Sequence, residues 1–323
     1  MAENCPTLFV MDPLERIQVE GDSTYMLMLE AHRRGFEVWM CTPPDLYTVG
    51  GLAHARATRV EVSEQEPYFT CAEPVDIGLD HFDVVWMRKD PPFDMDFVFC
   101  TYILDAVPPT TIVLNDPRSI RNASEKMFTL RFPQFITPTL ITCEVARILD
   151  FAAQAPGKVV LKPWDGNGGR GVLVSRHGDP NLRSMAEILT GEGRAYVIAQ
   201  HYIPEIKQGD KRIILIDGEP VGQMLRVPHP GDHRGNMHVG ATVEACELSE
   251  RDREVCDALG PLLREMGLLF VGIDMIGNCL TEVNVTSPTG IWEINALMGV
   301  SLERTLTDAV VARHAQRIQE TAR

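Results

Sequence analysis

The 323-residue sequence predicts an α/β fold that turns α+β in its second half. Three observations predict it. Short apolar runs alternate with helical segments over roughly the first 120 residues, as in a doubly wound parallel sheet. A glycine-rich loop around Gly168 stands between two strand-like runs rather than between a strand and a helix. From Asp210 onward, short strands dominate and are joined by turns. Changes of character near residues 122 and 203 divide the chain into units 1–122, 123–203 and 204–323.

Thr7–Met11 is a short apolar run that stops at Asp12-Pro13, a first strand. Asp22 or Ser23 caps a helix running through Arg34, and Gly35 ends it. Phe36–Cys41, Asp83–Met87 and Thr111–Leu114 are further strands, short and apolar enough to be buried in a parallel sheet. Ligands gather at the C-terminal ends of such strands, where Arg88-Lys89-Asp90 and Asn115-Asp116 stand. A helix over Asn122–Phe132 is expected from Asn122 as cap with Glu125 three residues on. Then come VVLKPWDGNGGRGVLVS, a polar GDPNL turn, a helix near 181–190 and the strand YVIAQHYIP. KRIILID, a turn at Asp217-Gly218, PVGQMLRV and a loop rich in Pro, Gly and His follow. A helix over about 249–266, two strands flanking Gly277 and a helix from near Ser301 complete the chain.

Apolar residues at 45% and charged residues at 23% are ordinary for a soluble globular protein. The net charge of -15 repels phosphate backbones and anionic lipid, so neither nucleic acid nor a membrane is expected as a partner. No apolar run reaches the roughly 18 residues of a membrane helix. MAENCPTLFVMDP lacks a basic n-region and meets Asp12 too early for a signal peptide. The eight cysteines are scattered, with no CxxC pair, which fits reduced thiols and a cytoplasmic location.

Gly166-Asn167-Gly168-Gly169-Arg170-Gly171 matches GxGxxG, but the β-branched Val172-Leu-Val-Ser that follows makes a hairpin, not a dinucleotide fingerprint. A strand–glycine loop–strand flap can cover phosphates with backbone N–H groups. A hairpin tip without a ligand fits this segment equally well, and Lys162 beside it reads as a phosphate ligand or a strand-end lysine. Asp274 interrupts an apolar strand, where an unpaired charge is costly. Glu282 and Asn284 share one face of the next strand. A three-residue loop, Gly277-Asn278-Cys279, pairs Ile276 with Leu280 and sets Asp274 opposite Glu282, whereas a two-residue loop puts Asp274 on the other face. Oxygen ligands without thiol or imidazole suit magnesium, and a salt-bridged hairpin is the alternative. Arg88-Lys89, Lys126, Lys162, Lys211-Arg212, Arg226 and Arg234 lie near strand ends or loops, suited to carboxylate and phosphate oxygens. The three histidines of VPHPGDHRGNMHVG sit among prolines and glycines, which argues against a helical zinc site and for a substrate-covering loop.

In this order, the segments resemble the bacterial glutathione synthetases of the ATP-grasp superfamily. VVWMRKDPPFD, NDPRSIRNASEKMFT, VVLKPWDGNGGRGV, AQHYIPEIKQGDKRIILIDGEPV, HRGNMHVG and FVGIDMIGNCLTEVNVTSPTG carry the likeness over nearly the whole chain. The resemblance implies an ATP-grasp fold behind an N-terminal Rossmann-like (pre-ATP-grasp) parallel-sheet domain that binds substrate. Residues 123–203 would be the central subdomain with its lid and 204–323 the subdomain with the metal site. ATP would be held by Lys126, Lys162, the Gly166, Gly168 and Gly169 loop, Gln200, His201, Ile203 and Asp210. Asp274, Glu282 and Asn284 would hold two Mg2+ ions, with Mn2+ as a substitute. Arg212, Arg226 and Arg234 would serve as catalytic cations, and Asp22, Ser23, Arg88, Asn284, Thr286, Ser287 and Thr289 would place the peptide. The implied reaction phosphorylates the cysteinyl carboxylate of γ-glutamylcysteine, and glycine's amine then displaces phosphate from the acyl phosphate. A homo-oligomer, dimer or tetramer, is implied too. A D-alanine–D-alanine type ligase and a nonenzymatic ATP-binding regulator are the alternatives.

Overall fold

A computed structural model describes residues 5–166, 168–229 and 241–321. The first sheet is built from β1 (Thr7–Val10), α1 (Ser23–Arg33), β2 (Val38–Cys41), β3 (Leu46–Val49), β4 (Leu52–Val62), β5 (Phe69–Cys71), β6 (Val75–Gly78), β7 (Val84–Met87), α2 (Met95–Leu104), β8 (Ile112–Leu114) and α3 (Pro117–Asn122). Its parallel centre runs β2-β1-β7-β8, and β1 and β7 are buried on both faces, as their unbroken apolar runs require. Asp22 caps α1, its carboxylate accepting from Tyr25 N at 2.7 Å, and Gly35 follows the helix at φ 77°.

The second sheet holds β9 (Thr139–Thr142), β10 (Lys158–Pro163), β11 (Leu173–Arg176) and β12 (Val197–His201), with α4 (Val145–Gln154) and α5 (Leu182–Leu189). All its pairs are antiparallel, in the order β11-β10-β12-β9. Val159, Leu161, Val197 and Ala199 bury against Ile148, Ala152, Leu182 and Ala186 of the two helices. The alternation of a strand therefore turns Val160, Lys162, Ile198 and Gln200 to the opposite face.

The third sheet comprises β13 (Asp210–Ile216), β14 (Glu219–Val227), β15 (Thr242–Glu244), β16 (Phe270–Ile276) and β17 (Cys279–Asn284), with α6 (Glu250–Glu265) on one face. Ile213, Leu215, Val271 and Ile273 pack on Val255, Leu259 and Leu263 of α6. The other face is apolar at one end and charged at the other. Ile214, Ile216 and Met224 lie under α7 (Ile291–Met298) and α8 (Leu302–Thr321), in one cluster with Phe9, Leu27 and Met28 of the first sheet and α1. Asp210, Arg212, Arg226, Asp274 and Glu282 occupy the other end.

Three expectations need correction. The helix over Asn122–Phe132 does not form: α3, capped by Asp116, ends at Asn122, and 3-10 turns occupy Phe128–Arg131 and Pro133–Phe135. The Glu125 carbonyl accepts from Val283 N at 2.9 Å, and Phe128, Phe132 and Phe135 enter the third sheet's core, so tertiary packing overrides the local signal. The first sheet is not wholly parallel, because β4 joins β2 antiparallel and carries β3, β5 and β6. The period-two alternation of LAHARATRVEV is the signal that reading passed over. Finally, β16 and β17 are joined by a two-residue turn, with Ile276 opposite Cys279 and Met275 opposite Leu280. An extra residue, Thr281, then bulges and brings Asp274 back opposite Glu282, its hydroxyl donating to the Asp274 carbonyl at 3.0 Å. The expected pairing holds; the expected loop does not.

Candidate active site

The free face of the second sheet and the charged end of the third enclose a cleft of about 870 Å³ that opens to solvent. Its apolar part is lined by Val160, Val172, Val174, Ile206 and Ile276, with Gln200, His201, Tyr202 and Ile203 along the connection between the sheets. Its polar part holds Lys126, Lys162, Asp210 and Glu282, and Gly166 and Gly169 of the glycine loop form the rim.

The glycine loop is the expected hairpin, with Leu161 opposite Leu173. A Cβ on Gly166 would sit 2.6 Å from Pro163 Cγ and 3.1 Å from the Arg170 carbonyl, so only glycine fits the fold-back. Gly168 and Gly169 lie at φ 58° and 75°, a left-handed conformation that glycine adopts without a Cβ clash. Lys126 ties this loop down, donating to the Gly166 carbonyl at 2.5 Å while pairing with Glu125 and, at 3.3 Å, with Glu282. Burial opposes the charge on Lys126, but Glu282 and Glu125 outweigh it and hold the ammonium above its usual range. Lys162 is buried on the cleft face of β10, and desolvation lowers its ammonium despite the attraction of Glu282.

The three expected metal residues share one face of the hairpin, because Asp274 lies opposite Glu282 and Asn284 is two residues on. Asp274 is held by Arg212 Nε at 2.5 Å, Arg212 Nη2 at 2.9 Å and Arg226 Nη2 at 3.0 Å, and Asn284 Nδ2 lies 3.4 Å away. Burial raises the Asp274 carboxyl, but the two guanidiniums override it and keep it well below the usual carboxylate range. Arg226 also donates to Asp210 at 2.6 Å. Burial pushes Asp210 up to about 7 against the pull of Arg226, with Asp274 and Glu282 adding to the rise. Asp210 Oδ1 and Arg226 Nε are buried without a partner among the described residues, an acceptor and a donor that a ligand would satisfy. Arg234 lies outside the described residues, as do Asn167 and most of the histidine-bearing loop.

A second group sits where the first and third sheets meet. Arg88 is buried, donates to Thr24 Oγ1 and to the Pro288 carbonyl, each at 3.0 Å, and lies 5.3 Å over the Phe270 ring. Burial lowers it, partly offset by Asp90 and Asp22, and its Nη1 has no partner among the described residues. Ser287 Oγ donates to the Arg88 carbonyl at 3.4 Å, Arg212 Nη1 donates to the Thr289 carbonyl at 3.2 Å, and Thr286 lines a smaller cavity of about 440 Å³ that shares Lys126 and Gly166 with the cleft. Asp22 and Ser23 make contacts within the protein. Asp22 caps α1, and the buried Ser23 hydroxyl accepts from Gly290 N at 3.2 Å and Ile291 N at 3.3 Å at the start of α7. His201 stands at the rim, its ring 4.9 Å from that of Phe151. Sequence reasoning missed Glu125 as a site residue, having read it as a helix cap. Burial and then Glu282 push its carboxyl up to about 7.

Two family models match the chain: residues 6–121 fit the N-terminal domain of prokaryotic glutathione synthetase and residues 125–299 its ATP-grasp domain. A glutathione synthetase from Brucella melitensis is 44% identical over 304 residues, covering 94% of this chain and 97% of that protein. The enzyme of that name from Pseudomonas syringae is 45% identical, covering 93% and 95%. That of Escherichia coli K12 is 43% identical over 310 residues, covering 95% and 98%. Among solved structures, the D-cycloserine synthetase DcsG superposes with a TM-score of 0.62 at 16% identity, covering 98% of this chain and 100% of that one. The ATP-grasp ligase PsnB, complexed with minimal precursor, Mg and ADP, gives 0.61 at 16% identity, covering 97% and 98%. At that identity the likeness concerns the fold alone.

Proposed function

The chain belongs to the prokaryotic glutathione synthetases, ATP-dependent ligases that make glutathione, and we propose that it joins γ-glutamylcysteine to glycine through an acyl phosphate formed in the cleft between the second and third sheets. One observation carries the reading. The cleft is apolar at the Val160–Ile276 end and charged at the other, where Lys126 and Lys162 stand among Glu282 and Asp210 under a glycine loop, which matches a purine continued by a metal-bound polyphosphate.

The donor set fits a divalent metal. Asp274, Glu282 and Asn284 carry oxygen on one face of the β16–β17 pair, without thiol or imidazole, and Asp274 would share its oxygens between the ion and the two arginines that hold them. Mg2+ (or Mn2+) takes few protein ligands and completes its shell with phosphate oxygens and water, so it needs no full cage of side chains there. An ion held there would supply positive charge to offset that of the phosphates. Lys126 and Lys162 neutralise the phosphates, and the Gly168 and Gly169 N–H groups cover them. The unpartnered Arg226 Nε and the Arg212 guanidinium face the transferring phosphoryl group, with Arg234 assigned the same role. Arg88 and the Asn284–Thr289 turn hold the peptide, Arg88 offering its free Nη1 to a carboxylate. Catalysis is then positioning and charge neutralisation, with no enzyme nucleophile, and closure of the glycine loop keeps water from the acyl phosphate. Ser23 acts by tying α1 to the start of α7 and Asp22 by capping α1, rather than by touching substrate.

A cytoplasmic location accords with the unpaired cysteines and with the lack, among the described residues, of a helix long and apolar enough to cross a membrane. A homo-oligomer accords with the exposed Met95, Phe99 and Tyr102 stripe on α2. The test is ADP release with γ-glutamylcysteine and glycine, the product identified by mass. Turnover with D-alanine in preference to glycine would transfer the protein to another ligase class, and magnesium-dependent ATP binding without turnover on any acceptor would make it a regulator.

A further inference from the structure

We propose that Thr139 is a positioning residue that makes the cleft select adenine over guanine nucleotides, by locking the Gln200 carboxamide with its oxygen toward the base. The proposal rests on the nucleotide reading of the cleft given above. Thr139 is on the edge strand β9, directly opposite Gln200 of β12, and both side chains lie on the face turned away from α4 and α5. The Thr139 hydroxyl has a single proton. It donates that proton to the Thr137 carbonyl at 2.8 Å, a group that can only accept. Toward Gln200 the same hydroxyl can therefore only accept, and it does so from Nε2 at 2.9 Å. The chain of donors fixes which end of the carboxamide is which, a choice that a free glutamine leaves open.

The consequence is an oriented acceptor. Gln200 is 7% exposed and lines the cleft, and its Oε1 has no partner among the described residues. Around it the walls are apolar: Val160 faces it across β10, and Val174 pairs with Val160 beyond. A base in this slot meets a carbonyl oxygen on a side chain that cannot turn over without breaking the bond to Thr139. Adenine carries an exocyclic amine that can donate to that oxygen. Guanine carries at the equivalent position a carbonyl oxygen, which would face Oε1 acceptor to acceptor with both desolvated.

The experiment compares ATP and GTP as substrates of the full-length protein in three forms: wild type, Thr139→Val and Thr139→Ser. Valine keeps the shape and removes the acceptor; serine keeps the hydroxyl. The wild type should prefer ATP, and Thr139→Val should narrow the ATP-to-GTP ratio of KM by about tenfold, the expected consequence of an unpaired buried acceptor. Thr139→Ser should restore the ratio. Calorimetric binding of ADP and GDP to the same three proteins reads the preference without turnover and should follow it. A ratio unchanged in Thr139→Val, or equally relaxed in valine and serine forms, overturns the proposal while leaving the ligase reading intact. A wild type that binds no adenine nucleotide overturns both.

Discussion

Lys162 brings its ammonium into a strand face where solvation is lost and the neighbouring carboxylates only partly compensate. An isolated buried charge costs several kcal/mol, so Lys162→Met, close in shape, should leave the ligand-free protein as stable or slightly more so. The stabilisation that ATP gives the wild type, about 3 kcal/mol at a hundredfold excess over Kd, should largely vanish. Thermal melts with and without nucleotide would read both effects, and a large loss of ligand-free stability would contradict the electrostatic account. Glu125 and Asp210 behave in the opposite sense, both pushed up to about 7, chiefly by burial. Their raised values mean that the folded chain binds protons more tightly than the unfolded one. Their contribution is complete below the usual carboxylate range and is lost as pH climbs through about 7. Ligand-free stability should therefore fall across that window, by up to about 1.4 kcal/mol per pH unit for each excess proton, and Glu125→Gln should flatten the slope. Urea midpoints across the window would measure it. The charged residues themselves were legible in the sequence, since a carboxylate or lysine inside an apolar run is visible as such. Their partners were not. That Asp274 would be gripped by two arginines, one on the adjacent strand and one on the strand beyond it, depends on register, and that Ser23 would cap a helix formed almost 270 residues later depends on how distant segments pack.

The glycine loop and the β16–β17 hairpin show why elements were easier to read than their details. β-Branched residues on both sides of the glycines dictated a hairpin, and the antiparallel pairing of β10 with β11 follows. Gly166→Ala would put a methyl group against Pro163 and the Arg170 carbonyl, forcing the loop out of its fold-back. Because none of these residues belongs to a core cluster, the melting temperature should stay within about 3 °C while turnover falls by about tenfold or more. Steady-state kinetics beside a thermal melt would check the pair, and loss of fold would count against a purely local role. In the hairpin, the pairing of Asp274 with Glu282 was deduced from a loop length that proved wrong. The Thr281 bulge compensates for the shorter turn, and bulges leave little local trace in sequence. The 3-10 turns after α3 are a similar case: a sound capping pattern at Asn122 and Glu125 yields to three phenylalanines that find a core elsewhere.

At the scale of the molecule, the first and third sheets are joined through their polar contacts as well as their apolar ones. Asn115, at the end of β8, donates to the Phe270 carbonyl at 2.7 Å and the Val285 carbonyl at 2.8 Å, and accepts from Phe270 N at 2.9 Å. Asn115→Ala would strand three buried backbone groups and should cost about 3 kcal/mol, with the two sheets' unfolding less tightly coupled. Calorimetry would show it as a lower, broader transition; a sharp and unshifted one would mean that water replaces the amide. α8 adds a second tie, Arg34 pairing with Asp308 at 2.7 Å and His314 lying 3.6 Å from Asp83. The parallel sheet, the glycine hairpin and the long helices α6 and α8 were all readable from local sequence pattern. The return of α7 and α8 to the first sheet was not, because local pattern says that a helix forms but not against what it packs.

That return has a bearing on how the chain is made. A ribosome delivers β1 to α3 first, yet Leu27 and Met28 of α1 share one apolar cluster with Leu302, Leu306 and Val310 of α8. Until those last residues emerge, the earliest-synthesised sheet carries an uncovered greasy face. The second sheet, whose core draws on residues between Leu140 and Ala199, has everything it needs much sooner. Nascent chains stalled before α8 should therefore hold a protease-resistant middle flanked by a beginning that chaperones still grip.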